Sequence, residues 1–129
     1  MSDLAKKISE AELTVLELLW EANEPLPVTP IRIQLGEKWG WDASTIKTLL
    51  RRLCDKGAVK AEKRDVYYYC PLLSREEYRS WSTGSLVERI YRGSARDLVA
   101  SLVAEKRLTQ ADLEELREIL YPQEGGDDE

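Results

Sequence analysis

The side chains best suited to chemistry in this sequence are hydroxyl and guanidinium groups that recur on one face of a predicted helix over 43–56. At about 100° per residue, Ser44, Thr48 and Arg51 fall opposite the apolar stripe of that helix. Such groups hydrogen-bond to phosphates and to base edges in the major groove of DNA. The face therefore predicts DNA binding, and the alternative is an ordinary solvated helix face. The predicted contact residues on this helix are Ser44, Thr45, Lys47, Thr48, Arg51 and Arg52.

A β-hairpin with a basic tip is predicted directly after this helix. Its strands are expected over 59–62 and 66–70, where β-branched and aromatic residues are frequent. Lys63 and Arg64 lie at the turn and are two further predicted DNA contacts. Because the turn has no glycine, we expect Asp65 or a neighbour to adopt a left-handed conformation. A helix followed by a hairpin is the order of a winged helix-turn-helix.

The charge of the chain is unevenly distributed. The net charge is −5, yet the segment from Lys47 to Arg64 is strongly basic and carries only Asp55 and Glu62 as acids. Acidic residues instead concentrate in the first predicted helix and at the C-terminus. A local basic surface on an acidic protein is compatible with DNA binding, and it predicts that binding depends strongly on salt.

The residue types that most enzymes and metal sites require are scarce. The chain has no histidine, two cysteines far apart and no glycine-rich phosphate loop. We therefore predict no enzymatic activity, no metal and no cofactor. No apolar run is long enough to span a membrane, and the first residues lack the apolar segment of a signal peptide. These patterns predict a cytoplasmic protein without membrane insertion and with reduced cysteines.

Helix starts are marked by capping residues along the whole chain. Helices are predicted over about 10–22, 30–38, 43–56, 75–92, 95–105 and 110–121. The expected caps are Ser9, Thr29, Asp42, Ser74 and Thr109. The predicted fold class is mostly α with a small β-hairpin. The predicted domains are a winged helix-turn-helix over 1–73, a helical dimerisation domain over 74–121 and a disordered acidic tail over 122–129.

The C-terminal helices carry more apolar residues than they can bury by themselves. Three short helices are too few to close a core, so these residues pack either on the N-terminal domain or on a second copy of the chain. We favour a homodimer, whose two DNA-reading units would meet a palindromic operator. The predicted dimerisation residues are Leu86, Ile90, Leu98, Leu102, Leu116 and Leu120.

Three further features have ordinary structural interpretations. Trp41 is interpreted as a residue that packs at the start of the helix over 43–56 rather than as a DNA contact. Cys54 lies beside the apolar stripe, which indicates a partly buried structural thiol; a redox switch is the alternative. Glu10, Glu12 and Glu17 are interpreted as capping and solvated-face residues rather than as catalytic carboxylates.

Four stretches of the chain resemble the BlaI/MecI/CopY family of bacterial penicillinase-type repressors. They are ISEAELTVLELLW at 8–20, WDASTIKTLLRRLCDKGA at 41–58, VYYYCP at 66–71 and SLVERIYRGS at 85–94. The resemblance implies a dimeric repressor of antibiotic-resistance or metal-homeostasis genes, bound to inverted repeats with TACA and TGTA halves. The copper-responsive branch carries paired Cys-x-Cys motifs near its C-terminus, and this chain has none there.

The resemblance also implies how repression ends. In the β-lactam branch, a membrane sensor-protease leads to cleavage of the repressor at an Asn-Phe bond in its dimerisation helices. The matching position here is Ser101–Leu102, so the residues of the bond differ. The hairpin is also about one residue shorter than the family pattern.

These observations predict a dimeric DNA-binding transcriptional repressor that recognises a palindromic operator. The alternative is a winged-helix module that binds an acidic protein partner without specific DNA binding. The hydroxyl and arginine face favours DNA, since interaction modules tend to show apolar patches at that position. Salt-dependent retention on a DNA column separates the two functions.

Overall fold

The computed structural model describes residues 3–123, which form helices joined by short connections and one small sheet. The elements are, in chain order, α1 (Asp3–Lys6), α2 (Glu10–Ala22), β1 (Leu26–Pro27), α3 (Val28–Trp39), α4 (Ala43–Lys56), β2 (Val59–Lys63), β3 (Tyr67–Pro71), α5 (Arg75–Ile90), α6 (Ala95–Ala104) and α7 (Gln110–Leu120). The predicted fold class, mostly α with a small antiparallel hairpin, is confirmed.

The chain forms two compact units, Met1–Gly84 and Ser85–Glu129. Helix α5 begins in the first unit and ends in the second. The domain boundaries expected from the sequence, after residues 73 and 121, stay predictions. Of the predicted disordered tail, residues 124–129 lie outside the described part of the chain.

The first unit has an apolar core to which α2, α3, α4 and the sheet all contribute. The apolar stripe predicted for α4 is buried in it and consists of Ile46, Leu49, Leu50 and Leu53. Burying one leucine or isoleucine side chain contributes about 1.5–3 kcal/mol, so this stripe fixes which face of α4 points outward. The buried apolar residues are Ala5, Val15, Leu16, Leu19, Ile31, Leu35, Ile46, Leu49, Leu50, Leu53, Ala58, Val59 and Leu73.

The sheet has three antiparallel strands in the order β1-β3-β2. Strands β2 and β3 form the predicted hairpin, with Val59 opposite Pro71 and Lys63 opposite Tyr67. The short β1 strand pairs with the other edge of β3, with Leu26 opposite Tyr69. The two hairpin strands are therefore anchored at their base, while the tip projects from the sheet as a wing.

The predicted start of α3 is wrong by two residues. The helix begins at Val28 with Pro27 as its N-cap, so Thr29 lies inside the first turn and makes no capping hydrogen bond. Pro27 is extended because it belongs to β1 and pairs with Tyr68. Pro30 is tolerated three residues into the helix because backbone N–H groups of a first turn have no intrahelical partner.

The turn of the wing also differs from the expectation. Residues 64–66 connect β2 to β3, and none of them has a positive φ, so the prediction for Asp65 or a neighbour is wrong. The amide of Arg64 donates to the carbonyl of Val66 over 2.9 Å. A three-residue connection closed by this hydrogen bond reverses the chain without a left-handed residue.

The other predicted caps are confirmed. Ser9 and Thr109 form reciprocal capping boxes with the third residue of their helices, and Asp42 accepts from the amide of Thr45. Ser74 exchanges the same pair of hydrogen bonds with Glu77 at the start of α5. The sequence did not predict α1, since four residues are too few to show a helical period.

The helices of the second unit leave their apolar side chains incompletely covered. No described residue of α5, α6 or α7 is fully buried. Among the predicted dimerisation residues, Leu98 and Leu102 are half-buried, and the other four are exposed in the single chain. A helical unit with this much apolar surface open to water lacks a core of its own.

Candidate nucleic-acid interface

Helices α3 and α4 form the helix-turn-helix that positions the predicted DNA-binding residues. Gly40 ends α3 with φ 72°, and its amide donates to the carbonyl of Gly36 over 2.9 Å. Two residues later Asp42 starts α4, and its Oδ1 accepts from the Thr45 amide at 2.8 Å and from the Ser44 hydroxyl at 3.1 Å. These hydrogen bonds lower the pKa of Asp42, and the bond from the Thr45 backbone amide has the largest effect. The cap therefore stays ionised and defines where α4 begins.

The outer face of α4 carries the predicted residues in accessible positions. Lys47, Arg51 and Arg52 are exposed, and none of them forms an ion pair with another residue in 3–123. Ser44 and Thr45 are exposed beside them in the first turn, and Thr48 is half-buried. Three uncompensated cations beside short hydroxyls form a surface that attracts phosphates and can reach base edges.

Lys63 and Arg64 lie at the wing, where tyrosines of β3 support them. The ammonium of Lys63 lies 5.6 Å from the ring centroid of Tyr67, and the guanidinium of Arg64 lies 4.6 Å from that of Tyr68. Arg64 also pairs with Glu62 at 3.2 Å, although both side chains are about half exposed. Lys63 is thus the freer of the two charges, and Arg64 is partly neutralised. The supporting tyrosines were not predicted; the spacing 63–67 and 64–68 across a tight turn is the signal that points to them.

Lys56 belongs to the basic segment but does not join the outer face. Its Nζ donates to Oε1 of Glu12 at 2.6 Å and to the backbone carbonyl of Lys7 at 2.7 Å. Glu12 is only 1% exposed, so its interpretation as a solvated-face residue is wrong, while its capping role with Ser9 is confirmed. Burial alone raises the pKa of Glu12, but the hydrogen bonds from Lys56 and Ser9 together with the charge of Lys56 outweigh it, and the pKa lies below its ordinary value.

Cys54 and Cys70 are free thiols in half-buried positions. Burial and the neighbouring charge of Asp55 raise the pKa of Cys54. The thiol therefore stays protonated at neutral pH, which is unfavourable for reaction with oxidants or disulfides. This agrees with the interpretation of Cys54 as a partly buried structural residue.

Trp41 packs against the core, as the sequence indicated, and its ring stacks on Trp39 with centroids 6.2 Å apart. Trp39 itself is exposed and lies at the end of α3.

Within residues 3–123, no helix has both the length and the apolar character that a membrane span requires.

Comparison with known proteins relates most of the chain to bacterial repressors. The family model described as penicillinase repressor matches residues 8–121. The chain is 29% identical over 115 residues to the penicillinase repressor of Bacillus licheniformis, covering 88% of this chain and 89% of that protein. It is 27% identical over 121 residues to the methicillin resistance regulatory protein MecI of Mammaliicoccus sciuri, covering 93% and 98%.

Solved structures give the same relationship for part of the chain. The solution structure of the DNA binding domain of the repressor BlaI matches with a TM-score of 0.53 and 30% identity, covering 60% of this chain and 94% of that one. The monomeric form of Bacillus licheniformis BlaI in complex with the blaP half-operator matches with a TM-score of 0.50 and 32% identity, covering 56% and 88%. Both similarities support the winged-helix architecture derived above.

Proposed function

Since this chain belongs to the penicillinase repressor family, a family of transcriptional repressors rather than enzymes, we propose that it is a dimeric repressor that binds a palindromic DNA operator. The observation that carries the proposal is the outer face of α4, whose free cations and hydroxyls stand on a fully buried apolar stripe. The proposed DNA-binding residues are Ser44, Thr45, Lys47, Thr48, Arg51, Arg52, Lys63 and Arg64.

The proposed reading mode places α4 in the major groove and the wing on the adjacent backbone. A helix fits the major groove, where arginine can donate two hydrogen bonds to guanine. Lys63 at the wing would contact phosphates, which position the protein without reading sequence. The similarity to a BlaI structure solved with a half-operator supports one winged helix per half-site.

The second part of the proposal is that the C-terminal helices form a homodimer. The support is the apolar surface that α5, α6 and α7 leave open, which includes Leu86, Ile90, Leu116 and Leu120. A twofold axis would let the same residues of a second chain cover that surface and would match the symmetry of a palindrome. The dimer would act in the cytoplasm, where bacterial DNA lies.

The names of the similar proteins support a proposal for the genes that this chain regulates. Relatives that cover most of this chain are named as penicillinase or methicillin resistance regulators, so we propose control of an antibiotic-resistance gene or a related one. The proposal needs no cofactor.

The direct test is a gel shift with the intact chain and a palindrome of TACA and TGTA halves at increasing salt. We expect a discrete complex whose affinity falls with a log–log slope of roughly −0.9 per neutralised phosphate. A scrambled palindrome of the same composition is the control. A chain that binds both DNAs equally, or neither, while binding an acidic protein partner would instead support the protein-interaction module.

We further propose that repression ends when the C-terminal helical segment α5–α7, here called the dimerisation arm, is cut in a pathway that a membrane sensor-protease starts indirectly. Ser101 and Leu102 lie inside α6 and are both half-buried. The Ser101 carbonyl accepts from the amide of Glu105 at 2.9 Å, and that of Leu102 accepts from Arg107 at 3.0 Å. A protease cuts extended backbone, so this bond becomes accessible only when α6 opens locally.

The measurement is an immunoblot of cells during induction, with an antibody against the N-terminal unit. We expect a fragment that ends near residue 101 to appear as operator occupancy falls. An uncleavable variant with proline at position 102 is unsuitable because it would break α6, so the matched control is an uninduced culture. Full derepression with only intact chain would contradict the proposal and indicate release by a small effector.

A further inference from the structure

One partly buried ion pair, in which Glu12 is buried and Lys56 is partly exposed, connects the end of the proposed recognition helix α4 to the start of α2. Lys56 is the last residue of α4, and its Nζ lies 2.6 Å from Oε1 of Glu12 and 2.7 Å from the carbonyl oxygen of Lys7. The same Oε1 atom accepts from the amide of Ser9 at 3.0 Å. A single carboxylate oxygen therefore connects α4 to the first turn of α2 and to the segment before it.

Among the described residues, no other polar side chain of α4 forms a hydrogen bond to another helix or to a distant segment. The remaining hydrogen bonds of its side chains, from Ser44 to Asp42 and at the cap, stay within the start of the helix itself. Contacts through the apolar stripe are strong but not directional. They determine which face is buried, whereas a hydrogen bond has a preferred distance and angle and therefore adds a directional constraint at the end of α4.

Lys56 is also poorly placed to act as a phosphate contact. The ammonium has three donors, and two of them are occupied by Glu12 and Lys7. Only one donor remains, and moving the ammonium toward a phosphate would weaken its pairing with a carboxylate that is 1% exposed, where an unpaired charge is strongly unfavourable. The charge of Lys56 is thus committed inside the protein, although it lies in the basic segment.

We propose that the Glu12–Lys56 pair is a positioning device that sets the axial position and rotation of α4, and thereby the register of Arg51 and Arg52 on DNA. This rests on the proposed function, because it assumes that α4 reads operator bases. Arg52 is one turn from Lys56, about 6 Å along the helix axis. Base contacts need their donors within roughly 0.5 Å of the productive position, so loosening the end of α4 should reduce sequence discrimination before it reduces general attraction to DNA.

The test compares Lys56→Met and Glu12→Gln with the intact chain on an operator palindrome and on a scrambled duplex. All measurements are made at a temperature where circular dichroism shows every variant to be folded. Both variants should lower the ratio of operator to scrambled affinity by about fivefold or more, because discrimination depends on donor position. The salt slope on the scrambled duplex should not change, because no phosphate contact is lost.

The matched control is Lys60→Met, which removes an exposed cation of the same segment from β2. It should leave the discrimination ratio unchanged. If Lys56→Met weakens both DNAs equally and flattens the salt slope by about one unit per half-site, while Glu12→Gln has no effect, Lys56 is a phosphate contact and the proposal is wrong. If neither variant changes the ratio, the pair is only structural and the proposal is also wrong.

A second readout does not need DNA. Amide hydrogen exchange should become about tenfold faster or more in the last turn of α4 in Lys56→Met, while the amides of the first turn near Asp42 keep their rates. Unchanged exchange in the last turn would overturn the proposal whatever the DNA result. If the intact chain binds no operator, the proposed function fails, and the exchange rates still decide whether the pair positions α4.

Discussion

A chain that ends at Ser94 is expected to fold as a monomeric winged helix and to lose about 10²- to 10⁴-fold of its affinity for a full palindrome. The first unit keeps its whole buried core in this variant, since the last core residue is Leu73. What is removed is α6 and α7, whose apolar residues are exposed or half-buried in the single chain. Two winged helices that are no longer connected bind the two half-sites independently, so the advantage of the tethered second contact disappears.

The affinity for an isolated half-site shows whether the shortened chain has lost only its dimer contact or whether its winged helix is itself damaged. The shortened chain should bind an isolated half-site within about threefold of the intact chain, because α4 and the wing are unaffected. A chain that ends at Gln123 is the matched control and should behave as the intact protein. Sedimentation of the intact chain at micromolar concentration must show a dimer. A monomer there, or a dimer that persists in the shortened chain, would contradict the proposal that the C-terminal helices form the dimer.

A point substitution can test the same surface without removing chain. Leu116→Asp places a carboxylate on the open apolar side of α7, whereas Glu115→Asp at the neighbouring exposed position is a neutral control. A dimer that buries Leu116 should dissociate in the first variant only, because an unpaired charge is costly in an apolar interface.

The parts of the fold that the sequence predicted are those fixed by neighbouring residues. The stripe of α4 and the caps Ser9, Asp42 and Thr109 depend on side chains within one or two helical turns, and the structure has them as expected. The start of α3 was wrong because Pro27 pairs with Tyr68, a residue on a distant strand. Helix propensity and capping preferences depend only on neighbouring residues and take no account of strand pairing. They therefore predicted Thr29 as the cap.

The candidate site shows the same division. Exposure of Arg51 and Lys63 follows from helical period and from the position of the turn, both of which can be read locally. The burial of Glu12 could not be predicted from neighbouring residues, because its partner Lys56 lies 44 residues further along the chain. A glutamate in a capping box looks solvated until a distant lysine is found beside it, and that pairing changes the role of both residues.

The second large effect is expected from Arg51→Ala. Arg51 is exposed on the outer face of α4 and forms no ion pair among residues 3–123, so its guanidinium is free to donate to a base. If it reads a guanine, its removal costs about 1–3 kcal/mol per half-site and relaxes discrimination at one base pair. In a dimer on a palindrome both half-sites lose the contact. The free-energy cost is therefore about doubled, and the fold-loss of operator affinity is approximately the square of the loss at one half-site.

Lys63→Ala is the matched control for this effect, because it also removes one exposed cation. At the wing that cation is expected to contact a phosphate, so its loss should weaken operator and scrambled DNA alike and flatten the salt slope by roughly one unit per half-site. Arg51→Ala should instead lower operator affinity far more than affinity for scrambled DNA. A binding series over single base-pair changes in the operator measures the difference directly, since only the Arg51 variant should become indifferent at one position of each half-site. If both variants leave the palindrome gel shift unchanged, α4 does not lie in the major groove and the exposed basic face has another partner.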